Sequence, residues 1–426
     1  MQATAAQRAA AAALPALCDD GFSAAVIAWQ RQHGRHALPW QSTRDAYRIW
    51  LSEIMLQQTQ VAAVIAYYEK FLRSFPTVEA LAAAPTEQVM AHWSGLGYYT
   101  RARNLHACAK RVVAEYGGHF PRDPVALAEL PGIGRSTAAA IAAFAYGVRA
   151  AILDGNVKRV LCRVYGIEGF PGSRAIEVAL WQRAEALLPP ATGHLGATSA
   201  AYVGEVVDGY ADANAVVSAA ANGSASAMNV AGGALAISSY TQGLMDLGAT
   251  LCTRNRPQCS RCPLALRCVA LATGRTAVLP ERRIKKPVPE RHTTMLLCVF
   301  QGQVLLEQRP DKGIWGGLLS LPEIAVCAAP SDDDVAHHEA QISRLVEQIG
   351  TVSDQALLTS FSHGFTHFRL HITPRLIRLA EIGSANFPAN AAWYDSAGLA
   401  HAALPAPVKK LLLDFFGGAD RLPGFA

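Results

Sequence analysis

The sequence has no apolar run of the roughly twenty residues that a membrane-spanning helix needs. Charged residues are scarce, at 17% of the chain against 51% hydrophobic residues, and the net charge of +5 is small for 426 residues. This composition excludes a membrane-spanning protein and is typical of a folded chain. The small charge permits nucleic-acid binding but does not indicate it. A chain of this length exceeds one ordinary core, so we expect two or three domains.

Two segments lack the features of ordinary domain structure. Residues 1–21 form a leader whose apolar run is mostly alanine, which is not typical of a secretory signal, and we expect a disordered or helical leader before Phe22. In residues 191–238 the acidic Glu205, Asp208 and Asp212 are the only charges among small and apolar residues. A mobile surface excursion is the preferred interpretation of this tract, and a folded accessory element is the alternative.

A short run with two glycines separates two predicted helices in the first half of the chain. The run Leu-Pro-Gly-Ile-Gly (130–134) lies between two helix-like runs, 123–130 and 136–147. Because Gly132 and Gly134 carry no side chains, the N–H groups of the turn and of the next helix can point at one phosphate, where the helix dipole favours an anion. The pattern predicts a helix, a hairpin and a helix that grip a DNA backbone without reading its sequence. Taken alone, such a pattern is more often a plain turn between helices.

Two carboxylates stand in contexts suited to catalysis. Asp154 follows the apolar pair 152–153 and precedes a glycine, where it can cap a helix, stay ionised and face what the hairpin grips. Glu53 lies in WLSEIMLQQTQV (50–61), whose apolar residues recur at helical spacing and predict a buried helix. Burial raises the pKa of a glutamate and suits a general acid, although the pattern alone also allows a solvated glutamate.

Nine cysteines occur in the chain, and four of them form the pattern C-x6-C-x2-C-x5-C. Four thiolates in a turn-rich segment indicate a metal site, either an iron–sulfur cluster or zinc, with disulfides as the weaker alternative. The other five show no partner spacing and are interpreted as small apolar residues, and the unpaired cysteines favour a cytoplasmic location. The predicted ligands are Cys252, Cys259, Cys262 and Cys268.

These motifs resemble the helix–hairpin–helix DNA glycosylases, and SEIMLQQTQV (52–61) is similar to the motif of MutY-type adenine DNA glycosylases. The resemblance covers nearly everything from Phe22 to Phe416 except the tract 191–238. It implies a mainly α-helical bundle (22–273) with a helix–hairpin–helix and an iron–sulfur cluster loop, followed by a C-terminal α/β NUDIX-like domain (293–420). It further implies a structural [4Fe–4S] cluster and removal of adenine mispaired with 8-oxoguanine or guanine in double-stranded DNA. We expect the enzyme to be a monomer.

The resemblance assigns the catalytic roles to three residues. Glu53 protonates adenine, Asp154 stabilises or captures the sugar cation, and Asn156 orients the site. The slot where the bifunctional endonuclease III-like branch has a lysine nucleophile holds Ser136, whose hydroxyl cannot form a Schiff base. The enzyme is therefore expected to be monofunctional.

The same resemblance places further residues against the DNA. Bases that react must leave the duplex, and a loop wedged into the stack offsets part of that cost. A glycine loop at 95–97 is expected to present such a wedge, and Arg101 and Arg103 are placed to meet phosphates. The residues assigned to the substrate are Trp40 and Leu56 beside the adenine, Gln242 bonded to it, Gln57 and Thr59 in the gap, and Leu96 and Tyr98 in the wedge.

The C-terminal part begins after a linker rich in Pro, Arg and Lys (274–292). Residues 293–310 predict two strands joined at Gln301-Gly302. GIWGGLLSLPE (313–323) resembles NUDIX hydrolases, but their helix with clustered glutamates is missing, because only Glu339 and Glu347 occur between 335 and 350. A nucleotide hydrolase is therefore a poor interpretation of this domain.

In MutY-type enzymes this domain recognises 8-oxoguanine through a Phe-Ser-His loop. Phe361-Ser362-His363 matches that motif literally, and Phe365-Thr366-His367 matches it by its position before the strand-like residues 368–373. We favour the second, because its threonine keeps the hydroxyl.

Two other functions stay open at this stage. The first is a bifunctional endonuclease III-like glycosylase/lyase, which Ser136 and the C-terminal domain count against. The second is a catalytically silent DNA-binding relative, which holds if the tract 191–238 displaces the helix that carries Gln242.

Overall fold

This computed structural model describes residues 19–190, 225–283, 287–310, 312–327, 331–365, 367–383 and 390–416. The leader up to Cys18, residues 191–224 and Thr366 lie outside the described residues. The chain divides into two compact units, Met1–Ala82 with Ala107–Ile284 and Ala83–His106 with Lys285–Ala426. In the part that the structure describes, no helix is both long and apolar enough to cross a membrane.

Helices build the described part of the chain up to Ala272, as the periodicity of the sequence predicts. Short 3-10 turns at Pro39–Gln41, Cys259–Arg261 and Ala265–Arg267 and a π turn at Leu247–Leu251 join them. In chain order the helices are α1 (Asp20–His33), α2 (Ala46–Leu56), α3 (Val61–Ser74), α4 (Val78–Ala83), α5 (Thr86–Trp93), α6 (Thr100–Tyr116), α7 (Pro124–Ala128), α8 (Arg135–Tyr146), α9 (Gly155–Val164), α10 (Arg174–Ala186), α11 (Ala225–Asp246) and α12 (Val269–Ala272).

The core of the first unit joins α1, α8, α9 and α11. Helix α8 contributes a run of buried alanines that lets neighbouring helices approach closely. Helix α11 is equally tight against α1: a Cβ added to Gly243 would lie 2.7 Å from Cγ1 of Val26. This packing holds the end of α11 that carries Gln242 against α1.

The end of the tract 191–238 differs from its predicted form. Residues 225–238 belong to α11 and are helical, so a surface excursion is the wrong interpretation for this stretch. Its composition is rich in alanine, the residue that favours helix most, and no glutamate, lysine or leucine stripe was there to signal the helix.

A mixed sheet forms the second unit, which confirms the predicted α/β class. The strands are β1 (Glu290–Phe300), β2 (Gln303–Gln308), β3 (Leu319–Ser320), β4 (Glu323–Val326), β5 (Gly350–Leu357), β6 (Phe361–Gly364), β7 (Arg369–Ile382) and β8 (Ala391–Tyr394). The central strands run in the order β3-β2-β1-β7-β5; β4 pairs with β1, β6 with β7 and β8 with β2, and the β1–β7 pairing is parallel. Helices α13 (Asp332–Ile349), α14 (Ser396–His401) and α15 (Ala406–Phe416) complete the unit.

The predicted hairpin at Gln301-Gly302 is present. Phe300 pairs with Gln303, and both turn residues have positive φ, 45° and 77°. Strand β1 begins at Glu290, within the predicted linker, so residues 290–292 belong to the sheet.

One face of the sheet is covered by α13, which packs Ile342 and Val346 on Leu296 and Ile377. The helix expected to be missing is therefore present, and only its glutamate cluster is absent. Glu339 on this helix forms an ion pair with Arg375, 2.7 Å away. Among the cysteines interpreted as apolar, Cys108, Cys162 and Cys298 are buried, but Cys327 is exposed, which corrects that expectation.

Candidate active site

Asp154 is the N-cap of α9 (Gly155–Val164), as predicted. Its extended backbone precedes the helix, and its carboxylate accepts a 2.7 Å hydrogen bond from the Val157 N–H. Burial raises the pKa of Asp154, while the N–H groups of Val157 and Asn156 and the charge of Arg159 lower it. Burial is the larger effect, so the pKa of Asp154 is raised in balance although the helix start and Arg159 lower it. The site contains an anion that its surroundings destabilise.

Asn156 and Arg159 extend this arrangement along α9. The Asn156 amide donates to Asp154 at 3.5 Å, and its oxygen accepts a 2.8 Å bond from the Arg159 guanidinium. Arg159 also donates to the carbonyl oxygens of Gly248 and Cys252, at 2.6 and 2.7 Å. The sequence analysis identified Asn156 but missed Arg159. What indicates Arg159 in the sequence is its position one helical turn after Asn156, on the same face of the helix.

Gly248 lies directly against Asn156. A Cβ at this position would lie 2.5 Å from the Asn156 Cβ, closer than real side chains approach. No feature of the sequence indicated this role.

We therefore expect Gly248→Ala to displace Asn156 and to lower the rate of the reaction at this site by about 10²-fold, because shifts of an ångström disturb catalytic geometry that much. The measurement is a single-turnover rate on the substrate proposed below. Ala249→Ser adds an atom at an exposed position of the same turn and should leave the rate unchanged. Equal rates for native chain and Gly248→Ala would show that Asn156 tolerates the shift.

Glu53 lies on α2 between the buried residues Ser52 and Ile54. Its side chain keeps partial contact with solvent, yet protein surrounds it densely, and this desolvation raises the pKa of Glu53 to about 8. The charge of Asp154 adds to the rise, so the two carboxyl groups are electrostatically coupled. The structure agrees with the predicted burial and contradicts the alternative of a solvated glutamate. At neutral pH this carboxyl group can carry a proton.

The end of α2 forms a turn next to Glu53. Leu56 is the last helical residue and is partly exposed, and Gln58 adopts a positive φ of 56°. The Gln57 amide reaches Thr137 of α8 at 3.5 Å, and the Thr59 hydroxyl donates to the Gln57 carbonyl at 3.3 Å. These contacts fix Gln57 and Thr59 as neighbours in one turn.

Trp40 lies in the 3-10 turn Pro39–Gln41 and is buried, with its ring edge-on to Tyr68 at a centroid distance of 5.4 Å. Its backbone position is held by Gln41, which accepts from the Leu38 N–H and donates to the Arg35 carbonyl.

Gln242 on α11 is held by a buried acid. Its amide nitrogen donates to Asp246 at 2.8 Å, and the Asp246 side chain is fully buried. Arg35 satisfies the same carboxylate through its backbone N–H at 2.8 Å and its guanidinium at 2.7 Å. The bond to Asp246 orients the Gln242 amide, which makes Arg35 and Asp246 supporting residues that sequence reasoning missed.

The hairpin between α7 and α8 has the predicted form. Gly132 has a positive φ of 78°, a conformation that favours glycine, and Gly134 is the N-cap of α8 with no atom within 4 Å of an added Cβ. Both glycines are exposed, while Ile133 between them is buried. The first N–H groups of α8 therefore open onto free surface, where an anion can approach.

Ser136 at the start of α8 has a structural partner. Its hydroxyl oxygen accepts a 2.9 Å bond from the Leu153 N–H, directly before Asp154. The side chain thus ties α8 to the segment that leads into α9.

The glycine loop between α5 and α6, in the second unit, differs in part from its predicted form. Tyr98 is 45% exposed at a positive φ of 50°, but Leu96 is only 7% exposed, so Leu96 does not protrude from this loop. Arg101 is buried, lies over the rings of Trp93 and Tyr98, and donates to the Leu96 and Gly97 carbonyls. It supports the loop and does not face outward as expected.

Arg103 is also engaged within the second unit. Its guanidinium donates to the Gly316 carbonyl and to the Thr100 hydroxyl. Both arginines that were expected to meet phosphates are therefore occupied by protein groups.

The four predicted ligand cysteines line one pocket in the first unit, together with Leu251 and Leu264. All four are partly buried. Burial raises the pKa of Cys262 to about 11; the Leu264 N–H opposes the rise, and the other three sulfurs add to it. Four converging thiols that repel one another as thiolates are a donor set that needs a cationic centre, so these residues fit a metal cluster.

The two candidate Phe-Ser-His segments differ in structure. Phe361, Ser362 and His363 belong to strand β6 and pair with β7. Phe365 donates its N–H to the Phe368 carbonyl at 2.8 Å, and the two rings stack with centroids 4.5 Å apart. His367 lies between them in sequence, in a bend outside the strands.

Two family models match this chain. Residues 51–186 match the HhH-GPD superfamily base excision DNA repair protein model, and residues 293–414 match the NUDIX domain model. The adenine DNA glycosylase of Buchnera aphidicola subsp. Acyrthosiphon pisum is 33% identical over a gapped alignment of 397 positions that covers 92% of this chain and 97% of that protein. The adenine DNA glycosylase of Mus musculus is 31% identical over a gapped alignment of 444 positions that covers 92% of this chain and 77% of that protein. A solved thermostable thymine-DNA glycosylase aligns with a TM-score of 0.41 and 26% identity over 59% of this chain and 96% of its own.

Proposed function

The chain belongs to the adenine DNA glycosylases and is a base-excision repair N-glycosylase, and we propose that it removes adenine mispaired with 8-oxoguanine or guanine in double-stranded DNA. The observation that carries the catalytic part of this proposal is the pair of coupled carboxyl groups, Glu53 with a pKa of about 8 and the helix-capping Asp154. One can hold a proton while the other offers an anion, which is the division of roles that glycosidic cleavage needs.

Glu53 is the proposed general acid. The adenine, flipped out of the duplex, lies beside Trp40 and Leu56, and the amide of Gln242 bonds its edge. Asp246 accepts a hydrogen bond from the Gln242 nitrogen. The amide oxygen therefore stays oriented as an acceptor for the adenine amino group. Glu53 protonates a ring nitrogen of the base, which then leaves as a neutral molecule.

Asp154 is the proposed partner of the sugar. Departure of the base leaves an oxocarbenium-like sugar, and an anion whose surroundings destabilise it gains most from a nearby cation. Asp154 stabilises this cation electrostatically or captures it covalently before water completes the hydrolysis, while Asn156 holds the carboxylate in place. Ser136 is engaged with Leu153 and offers no amine, so no lyase step follows and the enzyme is monofunctional.

The hairpin is the proposed DNA clamp, and Gly134→Glu should weaken duplex binding about tenfold at fixed salt, because it sets a negative charge where a phosphate would bind. The loss should be equal for mispaired and matched duplexes, since backbone contacts carry no sequence information. Fluorescence anisotropy measures both affinities. Gly134→Ala fits the same open position without charge and should bind nearly as well; equal weakening by the two variants would argue against the clamp.

We further propose that Cys252, Cys259, Cys262 and Cys268 hold a [4Fe–4S] cluster. Their common pocket and mutual repulsion support a cationic centre there, and the Arg163 guanidinium lies 3.4 Å from the Cys252 sulfur. The cluster would hold the loop 252–268 together. Oxidation-sensitive sulfur ligands and unpaired cysteines support a cytoplasmic enzyme, which we take to be a monomer.

The lesion is proposed to be read by Phe365, Thr366 and His367, since binding residues are concentrated on loops and Phe365 and His367 lie between strands β6 and β7. We expect His367→Ala to reduce the preference for A:8-oxoguanine over A:G by about five- to tenfold, the effect of one or two lost hydrogen bonds. The measurement is the ratio of single-turnover rates on the two duplexes. His363→Ala changes the competing segment and should alter this ratio less; the reverse order would transfer the role to Phe361-Ser362-His363.

A further inference from the structure

Three metal-ligating side chains share one face of the sheet in the second unit. Glu290 and His292 lie two residues apart on β1, and His371 of β7 is in register with His292 in the parallel pairing. Residues in register, and residues two apart on one strand, point to the same side of a sheet. Their potential ligand atoms all lie within 4.8 Å of one another.

The contacts within this group leave a polar atom unsatisfied. The imidazole rings of His292 and His371 stack with centroids 4.7 Å apart. The His371 Nε2 is 3.5 Å from the Glu290 carboxylate, but it is buried and makes no hydrogen bond to any group that the structure describes. Buried ring nitrogens normally make a hydrogen bond or bind a metal. The His371 Nε2 therefore has room for a ligand on the side that faces Glu290.

We propose that Glu290, His292 and His371 bind a zinc ion, with water as the fourth ligand. Imidazole nitrogens favour zinc and related transition metals, whereas magnesium and calcium require ligand sets made of oxygen. Tetrahedral zinc with bonds of about 2.0–2.1 Å sets its ligand atoms roughly 3.3 Å apart. The Glu290–His371 pair, at 3.5 Å, already approaches that spacing, and the ligand nitrogen of His292 lies within 4.8 Å of both, so binding requires this ring to turn out of its stack.

An ion would enter from the side of the Glu290 carboxylate. The side chains of Glu290 and His371 are 54% and 34% exposed, so turning the His371 ring would bring its buried Nε2 to the ion without unfolding. Glu290 is the first residue of β1, and His371 is the third of β7. A bound ion would cross-link the two strands where β1 begins and where the segment with Phe365 and His367 ends. Zinc should therefore raise the thermal stability of this unit, because only the folded sheet assembles the ligands.

The test is zinc binding by isothermal titration calorimetry on the full chain with its cysteine site fully loaded, checked by iron content. We expect about one zinc ion per chain in addition to the cysteine-bound metal. Loss of supporting residues alone costs metal sites about 10–100-fold in affinity, so His371→Asn or His292→Gln should weaken zinc at least about 100-fold. His401→Gln, at an exposed position on α14, should leave the affinity unchanged.

Cobalt(II) identifies the ligands directly. At a site of nitrogen and oxygen donors it gives ligand-field absorption without the intense near-ultraviolet thiolate band that the cysteine loop would produce. Glu290→Gln provides a second variant at an exposed position, so its fold should survive, and it should weaken cobalt as the histidine variants do. The proposal is overturned if no zinc binds, if the affinity is unchanged in folded His292, His371 and Glu290 variants, or if cobalt shows the thiolate band.

Discussion

Replacing Glu53 by glutamine should reduce the single-turnover rate of adenine release by about 10²- to 10⁴-fold, the usual contribution of a general acid. Glutamine has nearly the same shape and keeps a polar head at this densely surrounded position, but it has no acidic proton to give to the base. Duplex binding should be retained, because the hairpin and its helix dipole are separate from this side chain. Glu69→Gln, at an exposed position of α3, should release adenine at the native rate.

The pH dependence of the native rate of adenine release is a second test of the role of Glu53. Burial raises the pKa of Glu53 to about 8, so the carboxyl group is protonated and active below that pH and loses its proton above it. The rate should therefore fall about tenfold per pH unit above the pKa of Glu53. Bound DNA adds negative charge and raises this pKa further, so the fall begins at or above pH 8. Glu53→Gln should lose this dependence. A native rate that rises through pH 8, or a variant that keeps the native rate, would remove Glu53 from the chemistry.

Replacing Asp154 by asparagine should lower the rate by about 10²- to 10³-fold, comparable to removing one electrostatic contact of a charged transition state. Asparagine caps a helix as well as aspartate does, so α9 and the free energy of unfolding should change little. The substitution thus removes the negative charge that faces the sugar cation and leaves the fold intact.

A matched capping residue separates these two roles. Asp395 caps α14 through a 2.8 Å bond from the Gly398 N–H, and Asp395→Asn should leave adenine release unchanged. Circular dichroism melting curves check both variants. If Asp154→Asn melts with the native chain yet keeps its rate, Asp154 is a helix cap and nothing more.

The sequence predicted the features that depend on local pattern. Asp154 was recognisable as a cap from its apolar-then-glycine context and the hairpin from Gly132 and Gly134, while the helical spacing predicted the helix around Glu53 and the resemblance of 52–61 assigned its role. Each of these depends on a few consecutive residues, so the local chemistry that decides them is visible in one stretch of chain.

Features that depend on contacts between distant segments were not predictable. Arg159 reaches the Gly248 and Cys252 carbonyls, and Arg101 folds back over Trp93 instead of facing solvent. A lone arginine on a helix looks the same in either case, because long side chains turn toward whatever acceptors the fold brings near. The buried position of Leu96 has the same origin: its loop carries Leu96, Tyr98 and Tyr99, and packing decides which of them protrudes.

The most direct test of the proposed function is single-turnover release of free adenine from a duplex with one adenine opposite 8-oxoguanine, with strand integrity followed in the same samples. We expect the native chain to release adenine and the strand to break only after alkali, as for a monofunctional glycosylase. Tight binding without release of adenine would contradict the catalytic roles of Glu53 and Asp154. Strand breaks without alkali would contradict the absence of a lyase step at Ser136.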